Sequence, residues 1–301
     1  MISALIHTYN EEKNIERALS SLSFADEIVL VDMGSNDNTC KIASQFTPKI
    51  FQHPYTGFVE PARNFGIQKT KNKWVLVIDA DEEIGSGLAR YLTSEIKNPK
   101  ADFYRIPRKN IIFGKWMKHT GWWPDYQIRF FKKGAISWND QIHGIPLTKG
   151  KGQEIEATEN LSITHHNYQT IEQFIERLNR YTNISAKQLY LSNVRFSVAK
   201  LFAMPVREFV DRFFVREGYK DGVHGLALSI LQSLSESVTC LKLWELEGFK
   251  QEKIELTKIQ RYFQMEHKQK QYWIMESLIR SSSSSIYNIL LRLKRKLCLY
   301  G

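Results

Sequence analysis

WVLVIDADEE, residues 74–83, joins five consecutive apolar residues to four acids within the next five positions. A run this short and this apolar reads as a strand buried on both faces, and the acids mark where it leaves the core. In an extended segment, residues two apart face the same way. Asp79 and Asp81 would then present two carboxylates across the small Ala80. Such a pair can hold a hard cation; magnesium usually takes one or two protein carboxylates and completes its shell with phosphate oxygens. The competing reading is a solvated acidic turn that merely ends the strand.

Working outward, the first eighty residues alternate strand and helix signals. Residues 2–7 read as a strand, 27–31 as a buried one and 50–53 as a weaker one. Residues 11–22 read as a helix with Asn10 as its N-cap and Glu11 and Glu12 in its first turn. Residues 38–46 also look helical, as do residues 61–69, which start on a proline. Strands alternating with helices imply right-handed crossovers and a mostly parallel α/β sheet covered on both faces. Open parallel sheets bind ligands at the carboxyl edge of their strands. Three polar loops should meet there: Thr8, Tyr9, Asn10 and Glu11; Asp32, Gly34, Ser35 and Asp37; and Asp79, Asp81, Glu82 and Glu83. Asp32 can accept a hydrogen bond from a base N–H or a ribose hydroxyl, leaving Ser35, Asn36 or Asp37 to cap the next helix. The chain has neither GxGxxG nor GxxxxGK[ST], which disfavours a dinucleotide fold with the usual phosphate loop and a P-loop enzyme.

From residue 101 to 148 aromatics and glycines crowd together, and the pattern reads as irregular strands with long, functional loops. From residue 170 on the spacing is helical. The expected division is 1–100, 101–160 and a helical, basic 161–301. The formal charge of +10 favours an anionic partner. Three scattered cysteines, Cys40, Cys240 and Cys298, fit a reducing cytosol better than a disulfide framework. No apolar run approaches the roughly 18 residues of a membrane span, and no secretory leader is evident.

HTYNEEKNI (7–15), VLVDMGSNDNT (29–39), EPARNFGI (60–67) and WVLVIDADEE together resemble the GT-A glycosyltransferases of family 2, most of all the lipopolysaccharide core β-glucosyltransferases. The resemblance covers about the first 130 residues. It implies a Rossmann-like GT-A sheet, an inverting transfer from a UDP-sugar, and a divalent metal, Mn2+ or Mg2+. Thr8, Asn10 and Glu11 would line the uridine pocket beside Ser35, and Asp32 would hold base or ribose. Arg63 and Asn64 would lie near the diphosphate or sugar. Asp79 would bind ribose or sugar, and Asp81 the metal.

An inverting transfer needs a base for the acceptor hydroxyl, placed across the sugar from the diphosphate. Asp125 in GWWPDYQIRFF is the first choice, with Trp122 and Trp123 available to stack on sugars. The family places an acidic pair here followed by an arginine; Arg129 fits, although Pro124 stands where the first acid would be. His143 in WNDQIHG is a further metal or diphosphate ligand, with Gly144 replacing the acid that relatives carry; Asp140 is a weaker rival base. His165 and His166 are adjacent on an extended segment, where side chains diverge, which argues against a metal role for them.

Residues 196–222 and the terminal LLRLKRKLCLY mix apolar with basic side chains. Such helices can lie in a membrane interface, or pack their apolar faces internally and leave their charges in water. With a glycolipid acceptor implied, the expectation is a cytoplasmic enzyme peripheral at the inner membrane face. Nucleic acid is not expected as a partner, because no zinc-finger or RNA-recognition signature is present. Other readings are a polysaccharide or capsule glycosyltransferase and a non-catalytic nucleotide-sugar-binding protein. A processive synthase is disfavoured by Gln127-Ile-Arg-Phe130 in place of QxxRW, and a nucleotidyltransferase by the missing phosphate loop.

Overall fold

The computed structural model describes residues 1–55, 59–138 and 146–300, with side chains to residue 296 in the last helix. Asp140 and His143 lie outside the described residues. The chain forms two compact units: Met1–Ile112 with Trp123–Asn167, and Phe113–Trp122 with everything from Tyr168 on.

The first unit is α/β. Its strands are β1 (Ile2–Thr8), β2 (Glu27–Asp32), β3 (Ile50–Gln52), β4 (Trp74–Asp79), β5 (Glu82–Ile84) and β6 (Phe103–Ile112). After the two-residue β7 (Lys115–Trp116), which belongs to the second unit, come β8 (Asp125–Lys132), β9 (Ile136–Ser137), β10 (Leu147–Thr148), β11 (Gly152–Glu154) and β12 (Ile163–His166). The main sheet runs β3-β2-β1-β4-β8-β6-β12-β5, with β11 beside β6. β3, β2, β1 and β4 are parallel; β8 is antiparallel to both its neighbours, and β5 to β12.

Alternation along β1 explains the two cores. Ile2, Ala4 and Ile6 join Leu30, Leu76 and Ile78 on one face, covered by α1 (Ile15–Ser20) and α4 (Ser86–Glu95). Leu5 joins Val29, Val31, Val75 and Val77 on the other, covered by α3 (Glu60–Lys69) through Ala62 and Ile67. A sheet buried on both faces needs such continuous apolar strands. Gly66 lets α3 come close: a Cβ there would lie 2.7 Å from Leu5 Cδ1 and 3.0 Å from His7 Nε2.

Two expectations are corrected. The first helix starts at Ile15, not at residue 11, and Asn10 is not its N-cap. Asn10 has φ of +54°, a left-handed conformation, whereas an N-cap residue is normally extended. The segment 101–148 is also more regular than its composition implies, since it contains the ten-residue β6 and the eight-residue β8. Arg108, Asn110, Asp125 and Arg129 break the apolar pattern of these strands because they pair with one another and with the acids of the β4–β5 turn.

The second unit is helical: α5 (Ile171–Leu191), α6 (Val198–Val210), α7 (Val223–Leu246), α8 (Leu256–Ser281) and α9 (Ser285–Tyr300). Thr170 caps α5 by accepting from Gln173 N at 3.1 Å, and Ser197 caps α6 by accepting from Lys200 N. The apolar face of α6 is used internally: Val206, Val210 and Phe214 form a small core with Phe209, Phe213 and Trp273. Among the described residues no helix is long and apolar enough to cross a membrane, and Cys40 and Cys240 are free thiols.

Candidate active site

Register brings the polar loops together. Thr8 pairs with Asp32 across β1 and β2, and His7 with Asp79 across β1 and β4. β8 runs the opposite way to β4, so its first residue, Asp125, arrives at the same edge that β4 leaves by Asp79. The three-loop convergence expected from sequence is present, and the antiparallel strand delivers the fourth component.

The first two loops are laced to each other. Asn10 N donates to Ser35 Oγ at 2.8 Å, and Asn36 N donates to Asn10 Oδ1 at 2.9 Å. Glu11 N donates to Thr39 Oγ1, and Glu12 N to Asp37 Oδ2. Asp37 also accepts from Thr39 N at 2.9 Å, at the start of α2 (Thr39–Ala43). Asp32 is buried and accepts from Gly34 N and Ser35 N, so it shapes its own loop whatever else it holds. Gly34 has φ of +89°, which favours glycine at this turn. The buried Thr8 hydroxyl has no hydrogen-bond partner among the described residues. Above this rim the rings of Tyr9 and Tyr55 stack at 4.2 Å and 8°, a flat aromatic surface of the kind a base can lie on.

The acidic stretch departs from its expected geometry. Ala80 and Asp81 form a turn between β4 and β5, not a continued strand, and the two aspartates have different partners. Asp79 accepts from Arg129 and lies 3.4 Å from an Arg63 nitrogen. Burial opposes the Asp79 carboxylate, but Arg129 and Arg63 outweigh it and hold the group far below the usual range. Burial also opposes the Arg129 guanidinium, which Asp79 and Glu82 hold above its ordinary value. Asp81 faces His165 instead, with Oδ2 3.4 Å from Nε2.

Glu82 ties this cluster to the second half of the domain. It is fully buried, accepts from Asp79 N at 2.9 Å and Arg129 at 2.8 Å, and lies 3.3 Å from Arg108. Arg108 in turn donates to Asp125, which also accepts from Asn110 at 3.2 Å and Gln127 at 2.9 Å. Burial raises the Asp125 pKa, but Arg108, Gln127 and Asn110 bring it below the ordinary value, so Asp125 is a carboxylate at neutral pH. Arg129 owes its aim to a bulge: Tyr104 pairs with Phe130 and Arg105 with Ile128, which leaves Arg129 as the extra residue on β8. Bulges of this kind re-aim a side chain next to a site.

The residues around Asp81 fit a divalent cation. Asn110 uses its amide nitrogen on Asp125, so its Oδ1, 2.7 Å from His165 Nδ1, must accept from that ring nitrogen. A neutral His165 then turns its Nε2 lone pair toward an Asp81 carboxylate oxygen, and two acceptors face each other. A proton or a cation between them resolves the repulsion. Carboxylate plus imidazole, oriented by a hydrogen-bonded amide, is a donor set suited to Mn2+ or Zn2+, and less to Mg2+. The described residues include no group of three His, Cys, Asp or Glu side chains around one point, so these two would share the ion with other ligands.

His7 lies beneath the site, buried, with Nε2 3.2 Å from Ala62 O and Nδ1 without a partner among the described residues. Burial, then the Arg63 charge, push its pKa down to about 3. Asn64 uses its amide on the Trp138 backbone, at 2.6 and 3.0 Å, and positions that segment; Arg63 lies 5.2 Å over the Trp138 ring.

Arg108, Asn110 and His165 carry no sequence motif, and Glu82, although within WVLVIDADEE, had no assigned partner. The available signal was spacing: Arg108 and Asn110 share one face of β6, and a polar pair inside an apolar strand asks for partners. His165 and His166 do diverge, His166 toward Glu83 at 3.3 Å, but the divergence turns His165 into the site.

Residues 3–149 match the family model described as Glycosyl transferase family 2. The chain is 28% identical over 265 residues to the uncharacterized glycosyltransferase RT0209 of Rickettsia typhi, covering 81% of this chain and 87% of that one. It is 22% identical over 263 residues to the lipopolysaccharide core biosynthesis glycosyltransferase LpsC of Rhizobium meliloti, covering 83% and 94%. Among solved structures, S. aureus TarS 1-349 matches at 14% identity and a TM-score of 0.43, over 84% of this chain and 93% of that one. Glucosyl-3-phosphoglycerate synthase from Mycobacterium tuberculosis, in complex with Mg2+ and UDP, matches at 20% identity and 0.33, over 36% of this chain and less than half, 44%, of that one. With the sheet, its carboxyl-edge loops and the family match in agreement, residues 3–149 of this chain form a glycosyl transferase family 2 domain.

Proposed function

We propose that this chain is an inverting hexosyltransferase that moves glucose or a similar sugar from a UDP-sugar to a glycolipid or lipopolysaccharide-core hydroxyl, at the cytoplasmic face of a membrane. The observation that carries the reading is the continuous polar chain from Asp81 through His165 and Asn110 to Asp125. In this reading that chain would link a cation-binding pair to a carboxylate base. The resemblance to family 2 and the name of the Rhizobium relative support the donor and acceptor classes.

In this reading Thr8, Asn10, Glu11, Asp32 and Ser35 receive the nucleoside, and Arg63 and Asp79 lie on the diphosphate and ribose side. Asp81 and His165 would hold the metal, which when bound offsets negative charge on the departing diphosphate. Asp125 takes the acceptor proton while the hydroxyl oxygen bonds to the anomeric carbon. The bond from that carbon to UDP breaks on the opposite face, which inverts the centre. Arg108 keeps Asp125 ionised and aimed, at some cost in basicity.

The test screens UDP-sugars for binding and slow hydrolysis with Mn2+, Mg2+ or a chelator, with Asp81→Ala, His165→Ala and His143→Ala beside the parent. Turnover should require metal and be lost in Asp81→Ala. Asp125→Asn should keep donor affinity while transfer to truncated lipopolysaccharide falls by about 10²–10⁴-fold, the usual contribution of a positioned base. Metal-independent turnover, or an unaffected Asp81→Ala protein, removes the metal-assisted mechanism.

A further inference from the structure

α9 presents two unlike faces. Leu291 is 6% exposed, and on the same side Arg295 pairs with Glu276 and lies 5.5 Å over the Tyr272 ring, both on α8. The other face carries Ile286, Ile289, Leu290 and Leu293, exposed by 76%, 56%, 54% and 56%. Their spacing of three, four and seven places all four on one stripe of the helix. Stepping 100° per residue, Arg292 and Lys296 fall along one flank of that stripe and Lys294 along the other, and all three are exposed.

An apolar stripe this continuous is uncommon on a surface left to water. The charge around it decides what covers it. From residue 277 to the end the sequence has five Lys and Arg and no Asp or Glu. A second copy of α9 would bring these cations together with no acid to compensate them. An anionic bilayer accepts both features: the stripe enters the acyl boundary while the flanking basic groups reach lipid phosphates.

We infer that the Ile286–Leu293 stripe of α9 is the surface by which this protein seats on an anionic phospholipid membrane. α6, whose sequence offers a similar composition, is not that surface, because its apolar face is closed into the helical unit. The inference deepens the membrane part of the proposed function and depends on none of its chemistry.

Co-sedimentation of the full chain tests it, with vesicles of equal parts phosphatidylcholine and phosphatidylglycerol beside vesicles of phosphatidylcholine alone. The parent should bind the anionic vesicles, and bind less as salt rises. The double variant Ile289→Ser, Leu293→Ser should bind at least tenfold more weakly. Arg292→Gln and Lys296→Gln should each cost about fivefold. Leu191→Ser, at an exposed leucine on α5, should bind as the parent does. All of these positions are exposed, so the variants should melt with the parent. A parent that ignores anionic vesicles, or a stripe variant that still binds them, overturns the inference. So does a parent dimer that the stripe variant dissolves in the absence of vesicle binding. UDP-sugar hydrolysis in solution separates the two readings: vesicle failure with hydrolysis intact sinks only the membrane surface, and the reverse result sinks only the transferase.

Discussion

The two units treat charge and oil in opposite ways. In the sheet unit, Glu82 and Arg129 are buried, Asp79 and Arg108 half-buried, and all four join one network of ion pairs beside strands whose apolar residues are mostly enclosed. In the helical unit, charges stand in solvent, often in pairs three or four residues apart, while large apolar side chains such as Val223, Leu256 and Ile286 are left outside. Withdrawing charge is costly, and it persists where a fixed field is useful, which suits the proposed transferase site. Leaving oil exposed is also costly, and it suits a surface that meets a partner. The difference matches the proposed division, with chemistry in one unit and contact in the other.

The sharpest way to break this contrast is to remove the central buried acid. Glu82→Leu should destabilise the protein by about 3 kcal/mol, since it strips a partner from the buried Arg129 and the half-buried Arg108. Urea melts of parent and variant check this, and a loss under about 1 kcal/mol would mean the network is not a charge-locked unit. Next comes pH. His7 titrates near 3 when folded against 6.5 when unfolded, so the unfolded chain takes up its proton first as pH falls. Stability is therefore full above pH 6.5 and is lost progressively below it, by about 2 kcal/mol on reaching pH 5. His7→Gln should flatten that slope, as melts at pH 7 and 5 would report. The smallest effect belongs to the helical unit. Thr170→Ala removes the α5 cap and should cost about 1 kcal/mol, with donor hydrolysis unchanged. A fall in hydrolysis would show that the division of labour between the units is incomplete.

Much of the sheet unit was legible in the sequence. Residues 74–78 and 27–31 announce buried parallel strands because enclosure on both faces demands unbroken apolar runs, and the alternating 2–7 was legible as a strand. Asp32, Asp79 and Asp81 could be placed at one edge because topology, not side-chain detail, puts them there. The partners could not be read. Asp81 meets His165 only because β12 lies between β6 and β5, and Arg108 meets Glu82 only through strand neighbours far apart in the chain. The helices were visible as helices, but which face each one closes depends on tertiary neighbours. The composition of α6 and that of α9 look alike, yet one stripe is enclosed and the other is not.

The extra residue in β8 has a consequence for how this domain can vary. Arg129 reaches Asp79 because one strand is a residue longer than the pairing requires. Deleting Ile128 or Phe130 would let the hydrogen-bonded ladder close without interruption, pair Arg129 into it, and, because a one-residue slip sends side chains to the opposite face, turn it away. The guanidinium would be lost from the acids even if every other site residue were untouched. Strand length, counted in codons, is therefore as heritable a part of this candidate site as any side chain in it.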